Sequence, residues 1–424
     1  MPATRVRAAG AGMARTLFSN ARLVLDGQDH LQDGLELLVD GGTIVAVGPA
    51  PLPREAATQV IDAGGRTLMP GLIDAHAHIT GLSLSPKNIA QPAAEIAMAS
   101  VSYLRNCLMD GFTTIREAGG ADHGTARLLA EGSAIGPRLF YTGKALTQTG
   151  GGADFRTPDE HLDPCGHVGP HSVMSVIADG VDEVRRAARE ELRKGAAHVK
   201  VFASGGVVFP AEGHATRYEF SDAELRAAVE EAEARSTYVM AHVYTDEGVR
   251  RCLAAGVRSI EHGNFISEET VAMMARAGAY LVPTFISLVQ RVESAAAHGL
   301  PPAIVDNLQR TIERGHQVYG WARKHGVPIG LGTDLWGPEA QREQLREFEL
   351  RRGLDTPVAI LRSATAINAA LLMQQGRLGT LAEGACADLL VVDGDPLTDI
   401  GVLLDPTRRL KLIMKDGQLY KNEL

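Results

Sequence analysis

Between Met69 and Thr333 the chain alternates, about eight times, between a short apolar run and a longer amphipathic stretch. That rhythm restricts the fold more than any other feature. The apolar runs read as strands at Met69–Ala77, Thr113–Glu117, Arg138–Thr142, His198–Ala203, Tyr238–His242, Ser259–Glu261, Tyr280–Thr284 and Pro328–Thr333. Helical stretches separate them, among them Asp182–Lys194, Asp222–Arg235 and Ile304–Lys324. Gly195, Gly256, Gly278 and Gly326 stand where a helix needs a residue that turns left-handed cheaply. Eight βα units over roughly 250 residues are the size of a (β/α)8 barrel; a doubly wound open sheet is the rival α/β reading.

The two ends differ from this middle. Short runs punctuated by Gly27, Gly41-Gly42 and Gly48 fill Leu17 to Val60, and Ala387–Val392 and Leu410–Gly417 repeat the pattern. Each set alone would leave an apolar face uncovered, so the two are expected to pair. The expected division is a flexible N-terminus over 1–16, a small composite β-sandwich from 17–65 plus 377–424, and the barrel over 66–376. Two inserts, Thr147–Asp179 and Gly205–Ser221, leave strand C-terminal ends, where barrel active sites sit, and are expected to wall the pocket.

Composition removes several classes. A net charge of −9 argues against nucleic acid or an anionic membrane as partner. Cys107, Cys165, Cys252 and Cys386 form no C-x-x-C pair, which disfavours a disulfide framework or zinc ribbon. No apolar run reaches the length of a membrane span or follows Arg5 and Arg7 as a signal segment would, so a cytoplasmic protein is expected.

The strand ends carry the chemistry. In His76-Ala-His78 the period of two aims both imidazoles to one side of the backbone. Lys200, His242, His262 and Asp334 then close or nearly close four later apolar runs. A closed sheet would bring all six to one mouth. Imidazole and carboxylate without nearby thiols suit Zn²⁺ or a similar divalent ion in an open catalytic site. A lysine ammonium is no ligand. Buried beside cations it would lose its proton, and the neutral amine can add CO₂ to become a carbamate able to bridge two metals, which can share a hydroxide.

These residues resemble the amidohydrolase superfamily, in the branch with a carboxylated lysine. The text around them is similar too: Met69-Pro-Gly-Leu-Ile-Asp-Ala-His, Gly111-Phe-Thr-Thr, Lys200-Val-Phe-Ala-Ser-Gly-Gly-Val, Ile260-Glu-His-Gly-Asn and Ala387-Asp-Leu-Leu-Val-Val-Asp-Gly-Asp-Pro-Leu. Gly143-Lys-Ala-Leu-Thr-Gln-Thr-Gly-Gly, Ala178-Asp-Gly-Val-Asp-Glu-Val-Arg and Ala241-His-Val-Tyr-Thr resemble most the Xaa-Pro dipeptidase and N-acyl-amino-acid amidohydrolase group, which is related to ochratoxin-type carboxypeptidases. The resemblance implies two divalent metal ions, Zn²⁺ first, with His76, His78 and Asp334 holding one, His242 and His262 the other, and carboxylated Lys200 between. It implies that Asp334 moves the proton from the attacking hydroxide to the departing nitrogen. The implied substrate is a small amide or dipeptide ending in a free carboxylate: Xaa-Pro or an N-acyl amino acid. A cyclic amide of the imidazolonepropionase kind, a urea or carbamate, and a non-catalytic assembly module are the alternatives. Homo-oligomers are implied by analogy.

Substrate contacts are less determined. Tyr244 shares its strand side with His242 and, by the resemblance, would bind a substrate carboxylate; the other reading is a packed ring. Arg217 and Tyr218 could clamp the same group, against a solvated loop arginine. Phe209, Phe285 and Trp336 could form an apolar wall. Where the family reads Thr-Gly-Gly-His, this chain has Thr149-Gly150-Gly151-Gly152, so a substrate-touching histidine is missing; His161, His167 and His171 are candidates to replace it.

Overall fold

In this computed structural model the described residues are 15–82, 92–156, 174–207 and 218–424. The expected N-terminal tail up to residue 14, Arg217, Cys165, Phe209 and the three insert histidines lie outside them. The strands are β1 Thr16–Leu23, β2 Gln32–Asp40, β3 Thr43–Pro49, β4 Gln59–Asp62, β5 Thr67–Pro70, β6 Leu72–Ala77, β7 Phe112–Glu117, β8 Arg138–Phe140 and β9 Ala145–Thr147. They continue with β10 Ser175–Ile177, β11 Val199–Phe202, β12 Val239–Thr245, β13 Ser259–Phe265, β14 Tyr280–Val282, β15 Leu389–Val392, β16 Leu410–Lys415 and β17 Gln418–Asn422.

Both chain ends enter one sheet, in the order β17-β16-β15-β5-β1-β2-β3 with β4 on β1. Its central strand β15 is buried along its whole length and sorts its side chains by the period of two. Leu389 and Val391 pack with Leu37, Leu68 and Met414 on one face. Leu390 and Val392 pack with Tyr103, Leu108 and Phe112 on the other. The sheet is thus covered on both sides, as a continuous apolar run requires.

The remaining strands are all parallel, in a three-stranded sheet β6-β7-β8 and a six-stranded sheet β10-β9-β11-β12-β13-β14. Helices make most of their connections, as the alternation demands, the exceptions among the described residues being β8 to β9 and β9 to β10: α1 Ala93–Met109, α2 His123–Ala130, α3 Val181–Arg193, α4 Asp222–Glu233, α5 Asp246–Ala255, α6 Glu268–Ala277, α7 Phe285–Glu293 and α8 Pro302–His325. Gly256, Gly278 and Gly326 end their helices in the left-handed conformation expected of them. Ser221 opens α4 with a capping box to Glu224. Among the described residues no helix is long and apolar enough to cross a membrane.

β9 and β10 are strands beyond those expected from the sequence, β10 lying within the insert Thr147–Asp179, and two expected strands take another form. The run Met69–Ala77 is not one strand: it breaks at Gly71, sending Thr67–Pro70 into the terminal sheet and Leu72–Ala77 beside β7. Gly71 permits the break, since a Cβ there would lie 2.1 Å from Thr113 Oγ1. The stretch expected as a strand at Pro328–Thr333 makes only bridges. Ile329 pairs with Leu281, and Trp336 with His78. Ala75 N–H donates to the Leu331 carbonyl, which ties this stretch to β6. Gly332 makes the close passage possible, because a Cβ would meet Val282 Cγ1 at 2.5 Å and His76 Cβ at 2.8 Å.

Candidate metal centre

The site grows from the C-terminal ends of β6, β11, β12 and β13 and from the bridged stretch ending at Asp334. His76 closes β6 and is 1% exposed; its backbone carbonyl accepts the Asp334 N–H at 2.7 Å. Asp74 pins the same junction. Its carboxylate accepts from His76 N–H at 2.9 Å, Thr333 Oγ1 at 2.6 Å and Gln344 Nε2 at 2.8 Å. The outcome is that Nε2 of His76 and Nε2 of His78 lie 3.5 and 3.2 Å from Oδ1 of Asp334. Asp334 also accepts from Trp336 Nε1 at 3.2 Å and from Ser287 Oγ at 3.4 Å.

Two of the six residues sit in strained backbone. His262 has φ 70° and Asp334 φ 54°, both left-handed and neither glycine. Each costs on the order of 1 kcal/mol, a strain that persists only where the surroundings enforce it. An unbroken pleat would place His262 with Ile260, opposite Ser259 and Glu261; the left-handed turn instead brings its ring inward, beside His76 and Asp334. Nδ1 of His262 lies 2.8 Å from Thr284 Oγ1 and its Nε2 3.0 Å from His242 Nδ1.

Electrostatics keeps these groups in the forms able to bind a cation. Burial, with help from Lys200, pushes His76 down to about 4; burial pushes His262 down to about 3 and holds His242 well below the usual imidazole range. Neutral imidazoles offer a lone pair. Which nitrogen carries it is set by the second hydrogen bond. For His76 the partner is Glu261, with Oε2 2.7 Å from Nδ1. Burial alone would raise that carboxyl, yet Arg116, with Nη2 2.8 Å from Oε1, overrides it and keeps Glu261 ionised. An ionised Glu261 accepts the Nδ1 proton and leaves His76 Nε2 free toward Asp334.

Lys200, on β11, is wholly buried, and its Nζ has no hydrogen-bond partner among the described residues. Burial lowers its ammonium to about 8. Nδ1 of His78 and Nε2 of His242 are likewise buried without partners. Native interiors leave few such atoms unpaired. Here three such atoms belong to residues the sequence singles out, and the donor atoms of His76, His262 and Asp334 all lie within 4.8 Å of one another. Four imidazoles, one carboxylate and a lysine whose proton is loosely held fit divalent cations of the zinc type. His262 stands at the junction, close to His76 and Asp334 on one side and to His242 on the other.

A cavity opens over these groups. His78, His242, Tyr244, Asp334 and Trp336 line it together with Phe155, Met174, Phe202 and Val207. Trp336 tilts over His78 at 4.5 Å, and Tyr244 stacks on His262 at 4.8 Å with 6° between the planes. Phe285, a candidate for the wall, is instead core beneath α7, against His316 and Tyr319. Tyr218 is 55% exposed, lies under the Arg251 guanidinium and does not line the cavity.

Gly152 does line it, with its N–H donating to Glu219 Oε1 at 2.6 Å. A Cβ there would stand 3.2 Å from that oxygen, 3.3 Å from Gly205 Cα and 3.3 Å from Ser204 O, so Glu219 occupies the space next to the missing histidine. The sequence pattern alone does not single out Glu219, Arg116, Glu261, Asp74, Thr284 or Ser287. Of these, only Glu261 carries a usable signal, alternating with Ser259 on an inward strand face.

Comparison with known proteins follows the same lines. A family profile described as Amidohydrolase family matches residues 67–420. Ochratoxinase of Aspergillus niger is 34% identical over 374 residues, covering 84% of this chain and 75% of that protein. Among solved structures, an amidohydrolase superposes with a TM-score of 0.92 at 40% identity, covering 97% of this chain and 100% of the other. A prolidase complexed with N-methylphosphonate-L-proline superposes at 0.91 with 38% identity, covering 96% and 100%.

Proposed function

This chain belongs to the amidohydrolase family and is a hydrolase acting on C–N bonds, and from that premise we propose that it cleaves an amide whose amine side is an amino acid with a free carboxylate. Xaa-Pro dipeptides and N-acyl amino acids are the proposed substrates. The observation that carries the reading is the meeting of Asp334 with both imidazoles of His76-Ala-His78, beside the unpartnered Nζ of buried Lys200. The printed names of the similar proteins, an ochratoxinase and a prolidase with a proline phosphonate, support the substrate class.

We read the two parallel sheets as arcs of one (β/α)8 barrel, with the terminal sheet as a separate small domain. The bridges at Ile329 and Trp336, together with the Ala197 N–H to Tyr141 carbonyl bond between the arcs, support closure.

His76, His78, His242, His262, Asp334 and carboxylated Lys200 would hold two divalent cations. When bound, such cations supply an acidified water and polarise a carbonyl. Asp334, with Oδ1 near both imidazoles and Oδ2 near Ser287, accepts the nucleophile's proton and returns it to the leaving nitrogen. Glu261 and Arg116 hold His76 in one tautomer. Trp336, Phe202 and Phe155 exclude water from the acyl side.

The test is metal analysis of purified protein together with turnover of Xaa-Pro dipeptides, N-acyl-proline, N-acyl-phenylalanine and cyclic amides. Bound divalent metal with turnover of the carboxylate-bearing amides is expected. Turnover confined to cyclic amides would overturn the substrate class; a metal-free protein that gains no activity with Zn²⁺ and bicarbonate would overturn the reaction.

A further inference from the structure

The mechanism leaves one cation unused behind the cavity wall: Arg291, which is not itself among the residues lining the cavity. Arg291 lies on α7, one turn after Ser287, and residues four apart share a helix face. Ser287 reaches Asp334 Oδ2, so this face of α7 is turned toward the centre. The flanking residues Leu288 and Val292 pack with Tyr244 and Val207, two residues of the cavity wall. Nε and Nη2 of Arg291 are buried and find no acceptor among the described residues. The nearest charged neighbour on its own helix, Glu293, is taken by Arg346 at 2.8 Å. Burial brings the guanidinium down to about 10, while Asp334 and Tyr244 act to raise it.

A guanidinium left this way has half its recognition geometry ready. Nε and Nη2 form its side-on edge, two parallel N–H bonds spaced to match both oxygens of a carboxylate. Asp334 is not that partner, being engaged by His76, His78, Ser287 and Trp336. Burying those N–H groups without an acceptor is costly, and an arriving anion removes the cost.

We propose that Arg291 is a specificity-determining residue that takes the free carboxylate of the substrate through Nε and Nη2, beside Tyr244. The substrate then lies with its carboxylate toward α7 and its acyl group against Trp336, Phe202 and Phe155. This rests on the amide-hydrolase reading above.

The test separates binding from reaction. N-benzyl-L-phenylalanine has no amide to cleave, so its equilibrium binding to the metal-loaded protein, and that of its carboxamide, is read by calorimetry without turnover. The wild type is expected to bind the carboxylate at least tenfold more tightly than Arg291→Gln does, with Arg291→Lys between them. The carboxamide is expected to bind all three alike. Equal binding of the carboxylate by wild type and Arg291→Gln, parallel losses for both probes, or no binding of the carboxylate by the wild type would overturn the proposal. Hydrolysis of N-benzoyl-L-phenylalanine is measured separately. Arginine-dependent binding without any hydrolysis would sink the reaction and leave the carboxylate contact standing.

Discussion

Nδ1 of His76 lies 2.7 Å from Oε2 of Glu261, although 185 residues separate them in the chain. Glu261 is in turn held by Arg116, and all three side chains are 1% exposed or less. Glu261 therefore does two jobs, orienting the His76 ring and neutralising the buried Arg116. The two substitutions that separate these jobs have different expected outcomes. Glu261→Gln keeps the shape and removes the charge, so metal retention should weaken by about 10–100-fold in competition with a chelator. Glu261→Ala strands Arg116 and should cost about 3–5 kcal/mol in denaturant unfolding. Unchanged metal affinity in the first variant would show that the charge of Glu261 does not strengthen His76 as a ligand.

How much of this is legible in the sequence follows from range. His76 and His78 are legible because a period of two is local, and Lys200, His242 and Asp334 because each ends an apolar run. Arg116 is not: it closes an apolar run like the others, and only the fold places it opposite Glu261, 145 residues away. The break at Gly71 is hidden because a strand continuing from one sheet into another has an unbroken apolar pattern. Arg291 is hidden for a third reason, since an unpaired guanidinium is recognisable only by the acceptors it lacks.

The role proposed for Lys200 predicts opposite contributions with and without metal. In the metal-free chain its buried, unpartnered amine is a burden of about 1–3 kcal/mol. Lys200→Met, which keeps the apolar stem, should therefore match or exceed the metal-free wild type in thermal stability. Its metal-loaded activity should fall on the order of 100-fold or more, with less metal retained. Full activity in this variant would refute the carbamate.

Asp334→Asn tests the proton carrier. The amide oxygen can still accept from Trp336 Nε1 and the amide NH2 can donate to the Ser287 hydroxyl oxygen, so folding should be preserved, while kcat should fall by about 10²–10⁴-fold, the usual worth of a general acid–base group. Substrate affinity should change far less than kcat. A variant that lost binding and kept kcat would assign Asp334 to substrate positioning instead.

Glu219 supplies a pH signature away from the metal ligands. Burial drives its carboxyl up to about 7, against the opposing hydrogen bonds from Gly152 N–H and Thr147 O–H. A raised carboxyl binds its proton more tightly in the folded chain than in the unfolded one. The stability it contributes is therefore complete below about pH 4.5 and is lost as pH rises through about 7. Glu219→Gln is neutral throughout and keeps an acceptor for the Gly152 N–H. The variant should track the wild type in acid and become more stable than it by roughly 1–3 kcal/mol above pH 7, since each tenfold difference in proton affinity between the folded and unfolded chain is worth about 1.4 kcal/mol. Thermal unfolding from pH 4 to pH 9 measures the difference. Parallel curves would mean that Glu219 is ionised in the native wall at neutral pH, and that the space beside Gly152 presents a negative charge to the cavity.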